Sequence, residues 1–174
     1  MKVANTKPSG NNQRRDRELK MMIERAIVSD AGEILSLQKL AYRSEAEIYN
    51  DFNIPPLLQT IESMKNDFEN QIILKEVINR KIIGSVRAFA KEKTCYIGRL
   101  IVHPDFQNRG IGTKLMNEIE GVFKTCKRFE LFTGDRSDRN LYLYKKLGYK
   151  IFKNGKIAGQ TNIIYLEKIM EGNI

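Results

Sequence analysis

The sequence predicts a mixed α/β domain, with a mostly antiparallel central sheet of about seven strands flanked by helices on both faces. Three observations carry that expectation. Strand-type and helix-type runs follow one another in the order β-α-α-β-β-β-α-β-α-β-β. Two short polar turns, Asn79-Arg80-Lys81 and Lys91-Glu92-Lys93, separate apolar runs closely enough for an antiparallel meander. Residues 95–115 then join a strand, a glycine-bearing turn and an amphipathic helix, and the strand that follows favours a parallel crossover.

Taken in order, residues 22–27 read as a first strand. Ser29-Asp30 offers a helix N-cap, and Ile34, Leu37 and Ala41 mark a stripe running to about Arg43. The pattern fails between residues 44 and 56, so an irregular segment is expected there. Leu57, Ile61, Met64 and Phe68 then predict one helix with Pro55-Pro56 in its first turn. Residues 71–78 and 81–90 form a hairpin, and 95–102 a third strand that His103-Pro104 ends, since proline has no N–H for the ladder. Leu115, Met116, Ile119, Val122 and Phe123 set the helix that starts near Gly110 and runs to about Cys126. Residues 128–133 return as a strand. Ser137-Asp138 caps a helix carrying Leu141, Tyr144 and Leu147, stopped at Gly148, and residues 149–152 and 161–169 close the sheet.

The chain has 174 residues, 41% of them hydrophobic, the composition of a globular protein with one core, and residues 21–174 are expected to form a single domain. No apolar run approaches the roughly 20 residues of a membrane span and no signal-type stretch opens the chain, so a cytoplasmic protein without membrane contact is expected. Cys95 and Cys126 fit no metal or redox spacing and read as buried thiols. The formal charge is +9, of which +4 lies in residues 1–20, a polar segment without apolar period that predicts a disordered basic tail. Nucleic acid is a poor partner for that tail, because no aromatic residues are interleaved for base stacking. The remaining charge suits an anionic ligand such as a nucleotide cofactor.

The turn Gln107-Asn108-Arg109-Gly110-Ile111-Gly112-Thr113 ahead of a helix is a ready anion cradle: its N–H groups lack helical partners and the helix dipole favours negative charge. It is neither a dinucleotide fingerprint, since Leu115 stands where a third glycine belongs, nor a Walker loop, since Thr113 follows Gly112. Residues 107–112 fit the pattern Q/R-x-x-G-x-G/A and follow Leu100-Ile101-Val102-His103-Pro104. Downstream, Asn140 precedes Tyr144-Lys145-Lys146-Leu147-Gly148-Tyr149, the pattern Y-x-x-x-G-F/Y. With these two signatures the chain resembles the GCN5-related N-acetyltransferase (GNAT) superfamily, over nearly all of its length outside the tail.

The resemblance implies the GNAT acyl-CoA N-acyltransferase fold, acetyl-CoA as co-substrate without a metal, and transfer of an acetyl group to a primary amine of a small molecule by direct attack. A protein or peptide acceptor, and a non-catalytic acyl-CoA sensor, are the alternatives, and a homodimer is compatible with it. It assigns the pyrophosphate to the backbone of Gln107, Asn108, Arg109, Gly110, Ile111, Gly112 and Thr113, and the pantetheine to Leu100, Ile101 and Val102, whose amides extend the sheet. Asn140 would hydrogen-bond the pantetheine or cap a local turn. Tyr144 resembles the family tyrosine that protonates the leaving thiolate, and by spacing it also fits a packed aromatic on its helix stripe. Many relatives carry a glutamate base on the strand that here presents Tyr96, Gly98 and Arg99, so Glu45, Glu47, Glu130 and Asp135 are the candidates for a base acting through water. Arg99 could recognise a carboxylate or phosphate on the acceptor, or be a salt-bridged surface arginine. His103 reads as a loop histidine. The acceptor site is expected from residues 44–56, with Tyr42, Tyr49 and Phe52 as an aromatic wall, and from the loop after Phe152.

Overall fold

The computed structural model describes residues 22–157 and 161–170, so the expected tail at residues 1–20 lies outside the described residues. The chain runs β1 (Met22–Arg25), α1 (Ala31–Tyr49), α2 (Pro55–Leu58), α3 (Ile61–Asn70), β2 (Ile72–Ile78), β3 (Lys81–Lys91), β4 (Thr94–Val102), α4 (Ile111–Val122), β5 (Arg128–Gly134), α5 (Asp138–Lys146), β6 (Lys150–Ile157) and β7 (Thr161–Ile169). One sheet of seven strands results, in the order β1-β2-β3-β4-β5-β7-β6. Every neighbouring pair is antiparallel except β4–β5, the parallel pair that the crossover through α4 demands.

Each sheet face buries its own helices. On one, Leu115, Met116 and Ile119 of α4 pack with Leu74, Val86, Ala88, Ile97, Phe129 and Leu131. Gly84 of β3 makes room for this, because a Cβ there would lie 3.0 Å from Ile111 Cγ2 and Leu115 Cδ1. On the other, Ile34, Leu35 and Leu37 of α1 and Met64 of α3 cover Ile73, Ile82 and Ile101. Cys95 and Cys126 are buried free thiols, and burial pushes Cys95 up to about 12, far from a reactive thiolate.

Element boundaries depart from the sequence expectation at four places. The segment expected to be irregular from residue 44 is helical to Tyr49, where Asn50 ends α1 in the left-handed conformation (φ 50°). The helix expected across residues 57–68 is broken at Gln59, and Thr60 starts α3 afresh by accepting a hydrogen bond from Ser63 N at 3.2 Å. The helix expected to reach residue 126 ends at Val122, and the strand expected to stop at Phe152 runs on to Ile157. Asp30 also does other work than capping: its carboxylate accepts from Ile27 N and from Lys75 Nζ, both at 2.8 Å.

Glu76 of β2 is 1% exposed, and its Oε2 has no hydrogen-bond partner among the described residues. Burial raises its pKa, opposed only by the charge of Lys114. Its charged form is therefore disfavoured in the folded chain, and stability falls as pH rises from the ordinary carboxylate value through the raised one. Glu76→Met is expected to raise Tm at pH 8 by a few degrees, since an unsatisfied buried acceptor costs roughly 1–3 kcal/mol. That advantage should shrink toward pH 4. Calorimetry across that range checks it, and a pH-independent difference would contradict the account.

Candidate functional site

The site is set by where β4 and β5 part. They pair only at Thr94–Arg128, Cys95–Phe129 and Tyr96–Glu130. Beyond that point β4 pairs with β3 alone and β5 with β7 alone, so one backbone edge of β4 from Ile97 onward has no strand partner. A β-bulge accompanies the split. Ser85 pairs with Ile101 and Arg87 with Gly98, leaving Arg99 and Leu100 opposite Val86 alone, with Arg99 at φ 50°. The extra residue reverses the alternation: Ile97 and Leu100 both face the α4 side, whereas Ile101 faces the α1 side.

The cleft between the parted strands is lined by Gly98, Arg99 and Leu100 of β4, by Phe132, Thr133 and Gly134 of β5, and by Asn140 and Tyr144 of α5. Its far wall is α1 with Tyr42, Glu45 and Tyr49, joined by Pro55 and Pro56 of α2. These α1 residues recur at three- and four-residue steps and so share a helix face. Their positions are fixed from α5's side. Ser137 donates from Oγ to Glu45 Oε2, in place of the N-cap bond expected of it. Tyr49 donates to Asp135 Oδ1 at 3.0 Å and accepts from Arg136 N at 2.6 Å. Gly134 permits that arrangement, for a Cβ there would sit 2.9 Å from two Tyr49 ring atoms.

At the end of β4 the glycine turn leads into α4. Asn108 and Gly110 have φ of 62° and 78°, and the first helical bond is Lys114 N to Gly110 O at 3.0 Å. The N–H groups of Ile111, Gly112 and Thr113 therefore precede the helical ladder and are available to an anion. The turn abuts the cleft wall, since a Cβ on Gly112 would lie 3.3 Å from Leu143 of α5 and 3.8 Å from Leu100. Gln107 braces it, donating to Val102 O at 3.3 Å and accepting from Arg139. Arg109 lies over the Phe106 ring at 5.1 Å. Gln107, Asn108, Arg109, Gly110, Ile111, Gly112 and Thr113 thus sit beyond the cleft lining, while Leu100, Asn140 and Tyr144 sit within it. Ile101 and Val102 lie beyond the cleft lining on the β4 edge that has no strand partner.

Asn140 donates to Thr133 Oγ1 at 3.2 Å, tying α5 to β5. Tyr144 is 6% exposed, and burial, with Tyr42 and Glu45 nearby, raises its pKa. The phenol stays protonated through the neutral range. Of the four carboxylates expected to act through water, Glu45 alone lines the cleft. Glu130 pairs with Arg128 at 2.7 Å, Asp135 is engaged by Tyr49, and Glu47 is exposed on α1. His103 is the loop residue expected, its Nδ1 accepting from Asp105 N at 3.2 Å. Phe52 is 54% exposed and lies outside the cleft lining. Pro55, Pro56 and Ile157 lie in the segments from which the acceptor site is expected, as do Glu45 and Tyr49, whereas Thr133 and Gly134 of β5 carry no signal in the sequence.

Parted parallel strands, an unpartnered strand edge and a helix start with free N–H groups lie together on one side of the sheet, an arrangement open to an extended ligand with an anionic end. The family model of the acetyltransferase (GNAT) family matches residues 33–149, and the chain belongs to that family. In sequence it is 28% identical over 128 residues to the UPF0157 protein YqkA of Bacillus subtilis (strain 168), covering 74% of this chain and 37% of that protein, so the chain spans little more than a third of this curated relative's length. Among solved structures it is similar to the PaiA N-acetyltransferase of Thermoplasma acidophilum in complex with coenzyme A (TM-score 0.72, 15% identity, 86% of this chain and 99% of that one). It is also similar to the ribosomal-protein-S18-alanine N-acetyltransferase of Escherichia coli (TM-score 0.71, 14% identity, 88% and 97%). A third is YncA, a putative acetyltransferase from Salmonella typhimurium solved with acetyl-CoA (TM-score 0.69, 15% identity, 87% and 94%). Among the described residues no helix is long and apolar enough to cross a membrane, and no metal-ligating side chains gather in threes.

Proposed function

We propose that residues 21–174 form one catalytic unit, an acetyl-CoA-dependent N-acetyltransferase acting on the primary amine of a small molecule. The observation that carries this reading is the unpartnered edge of β4 running from the cleft to the anion-binding start of α4. Acetyl-CoA supplies an acetyl thioester, whose carbonyl the acceptor amine attacks directly. The N–H groups of residues 111–113, with Arg109 beside them, hold the pyrophosphate. The free edge at Leu100, Ile101 and Val102 takes the pantetheine amides as a further strand would.

An unperturbed alkylamine has a pKa of about 10.4, so a proton must leave it before attack. Glu45, on the cleft wall and held by Ser137, receives that proton through water. The Tyr144 hydroxyl donates to the departing sulfur, and Asn140 orients the α5 end of the cleft against Thr133. A backbone N–H near Val102 stabilises the oxygen as charge develops, a role worth roughly 2.7–4 kcal/mol in other acyl-transfer sites.

A thermal shift titration with acetyl-CoA, followed by free-thiol release across a panel of amines, tests the reading. Stabilisation of about 2.7 kcal/mol is expected near a hundredfold excess over Kd, with thiol release dependent on amine. No shift with any acyl-CoA would overturn the proposal, and a shift without turnover of any amine would leave a sensor.

A further inference from the structure

We infer that the acceptor carries an oxyanion, a carboxylate or a phosphate, close to its reacting amine, and that Arg99 is the residue that recognises it. The inference deepens the acetyltransferase reading and rests on it. Arg99 lies in the β4 bulge, and its φ of 50° turns the side chain out of the strand's alternation toward α1. There its guanidinium stands 5.7 Å from the ring centroid of Tyr42, which holds the cation by its π face. A non-glycine residue rarely adopts the left-handed region, and here that conformation aims a charge into the cleft.

No carboxylate among the described residues pairs with that charge. Arg99 forms no ion pair among the described residues, and its buried Nε has no hydrogen-bond acceptor. The nearby Asp67 is already taken by Arg87 at 2.5 Å, and the charge of Arg99 contributes to lowering Arg87 to about 10. Two arginines therefore share the neighbourhood with one carboxylate, which leaves a positive field at the α1 end of β4. Among the described residues lining the cleft, Arg99 is the one cation and Glu45 the one anion, and the walls between them are largely aromatic and aliphatic. Such walls keep the local dielectric low and strengthen both charges. An amine near Glu45 and an oxyanion at Arg99 would match this pair, and the planar guanidinium suits an oxyanion through two parallel hydrogen bonds. A plain alkylamine would leave the half-buried arginine against Tyr42 without a counter-charge.

The test compares glycine, alanine and glutamate with their methyl esters, with aminomethylphosphonate and with alkylamines of similar length, by acetyl-CoA-dependent thiol release. In the wild type the oxyanion-bearing amines should exceed their neutral counterparts in kcat/KM by about tenfold or more, chiefly through KM. Arg99→Gln should collapse that ratio toward one, and Arg99→Lys should keep part of it, because the charge remains without the planar fork. An acetyl-CoA thermal shift establishes that each variant is folded. Neutral amines reacting as well as their acidic counterparts in the wild type would overturn the inference without recourse to any variant. So would an unchanged ratio in a folded Arg99→Gln. The carboxylate and phosphonate arms distinguish the two oxyanions. Acetyl-CoA binding without turnover of any amine would overturn the acetyltransferase reading itself, and this inference with it.

Discussion

Asp67→Ala should lower Tm by on the order of 10 °C, the loss expected when one partner of a buried ion pair is removed and about 3–5 kcal/mol is forfeited. The reason lies in what Asp67 holds. Arg87 on β3 is 8% exposed and contacts Asp67 Oδ2 through Nη1 at 2.5 Å. The same carboxylate accepts from Gln59 Nε2 at 2.6 Å and from Gln71 Nε2 at 3.2 Å. Gln59 in turn accepts from Gln38 Nε2 at 2.8 Å, and that amide also donates to Pro56 O at 2.9 Å. The network thus clamps α1, the α2–α3 junction and β3 together beneath the cleft. Without Asp67, Arg87 keeps a charge that burial and Arg99 both oppose. Replacing both partners, Asp67→Ala with Arg87→Met, should recover most of the loss, since an apolar pair leaves no uncompensated charge. Thermal unfolding of the two singles and the double separates the pair from its parts, and a double as unstable as the sum of the singles would contradict the coupling.

The same network explains what the sequence concealed. The meander of β2, β3 and β4, the crossover through α4 and the helices on both faces follow from apolar periodicities that are plain in the chain, such as Leu115, Met116 and Ile119 or Ile34 and Leu37; the insertion of β7 between β5 and β6 does not. The second half of α1 had no such mark. Its inward face carries Gln38, Tyr42, Glu45 and Tyr49, polar because it meets a network and then a cleft, so the hydrophobic stripe fades where the helix becomes functional. Gln59 hid in the same way, ending α2 because its side chain is claimed by Gln38 and Asp67. On the donor side the signal is local. Asn108, Gly110 and Gly112 adjoin in sequence because a backbone cradle is built from consecutive N–H groups. The cleft is assembled from β4, β5, α1, α2 and α5, and no short motif can encode such a convergence. The bulge at Arg99 is equally silent, because the residue has no glycine-like signature and its φ is imposed by the ladder with β3.

Tyr144→Phe should reduce kcat for amine acetylation by about a hundredfold or more while leaving acetyl-CoA affinity nearly unchanged. The ring is part of the core on the α4 side, 6.1 Å from the Tyr149 ring, so phenylalanine preserves the packing and stability should change little. What is removed is one hydroxyl of a cleft-lining residue, the group that in the proposed mechanism donates to the leaving sulfur. The pH dependence sharpens the expectation. Burial, Tyr42 and Glu45 all raise the Tyr144 pKa, so the hydroxyl remains a donor throughout the range in which the amine loses its proton. Wild-type kcat/KM should therefore climb with pH toward the amine's own value of about 10.4, with no alkaline fall from Tyr144. The variant should show the same climb at a lower level, since its missing hydroxyl did not titrate in that window. Steady-state kinetics across pH with a fixed amine, paired with acetyl-CoA binding by calorimetry, reads both quantities. A variant with wild-type kcat would show that the residue at position 144 serves packing alone.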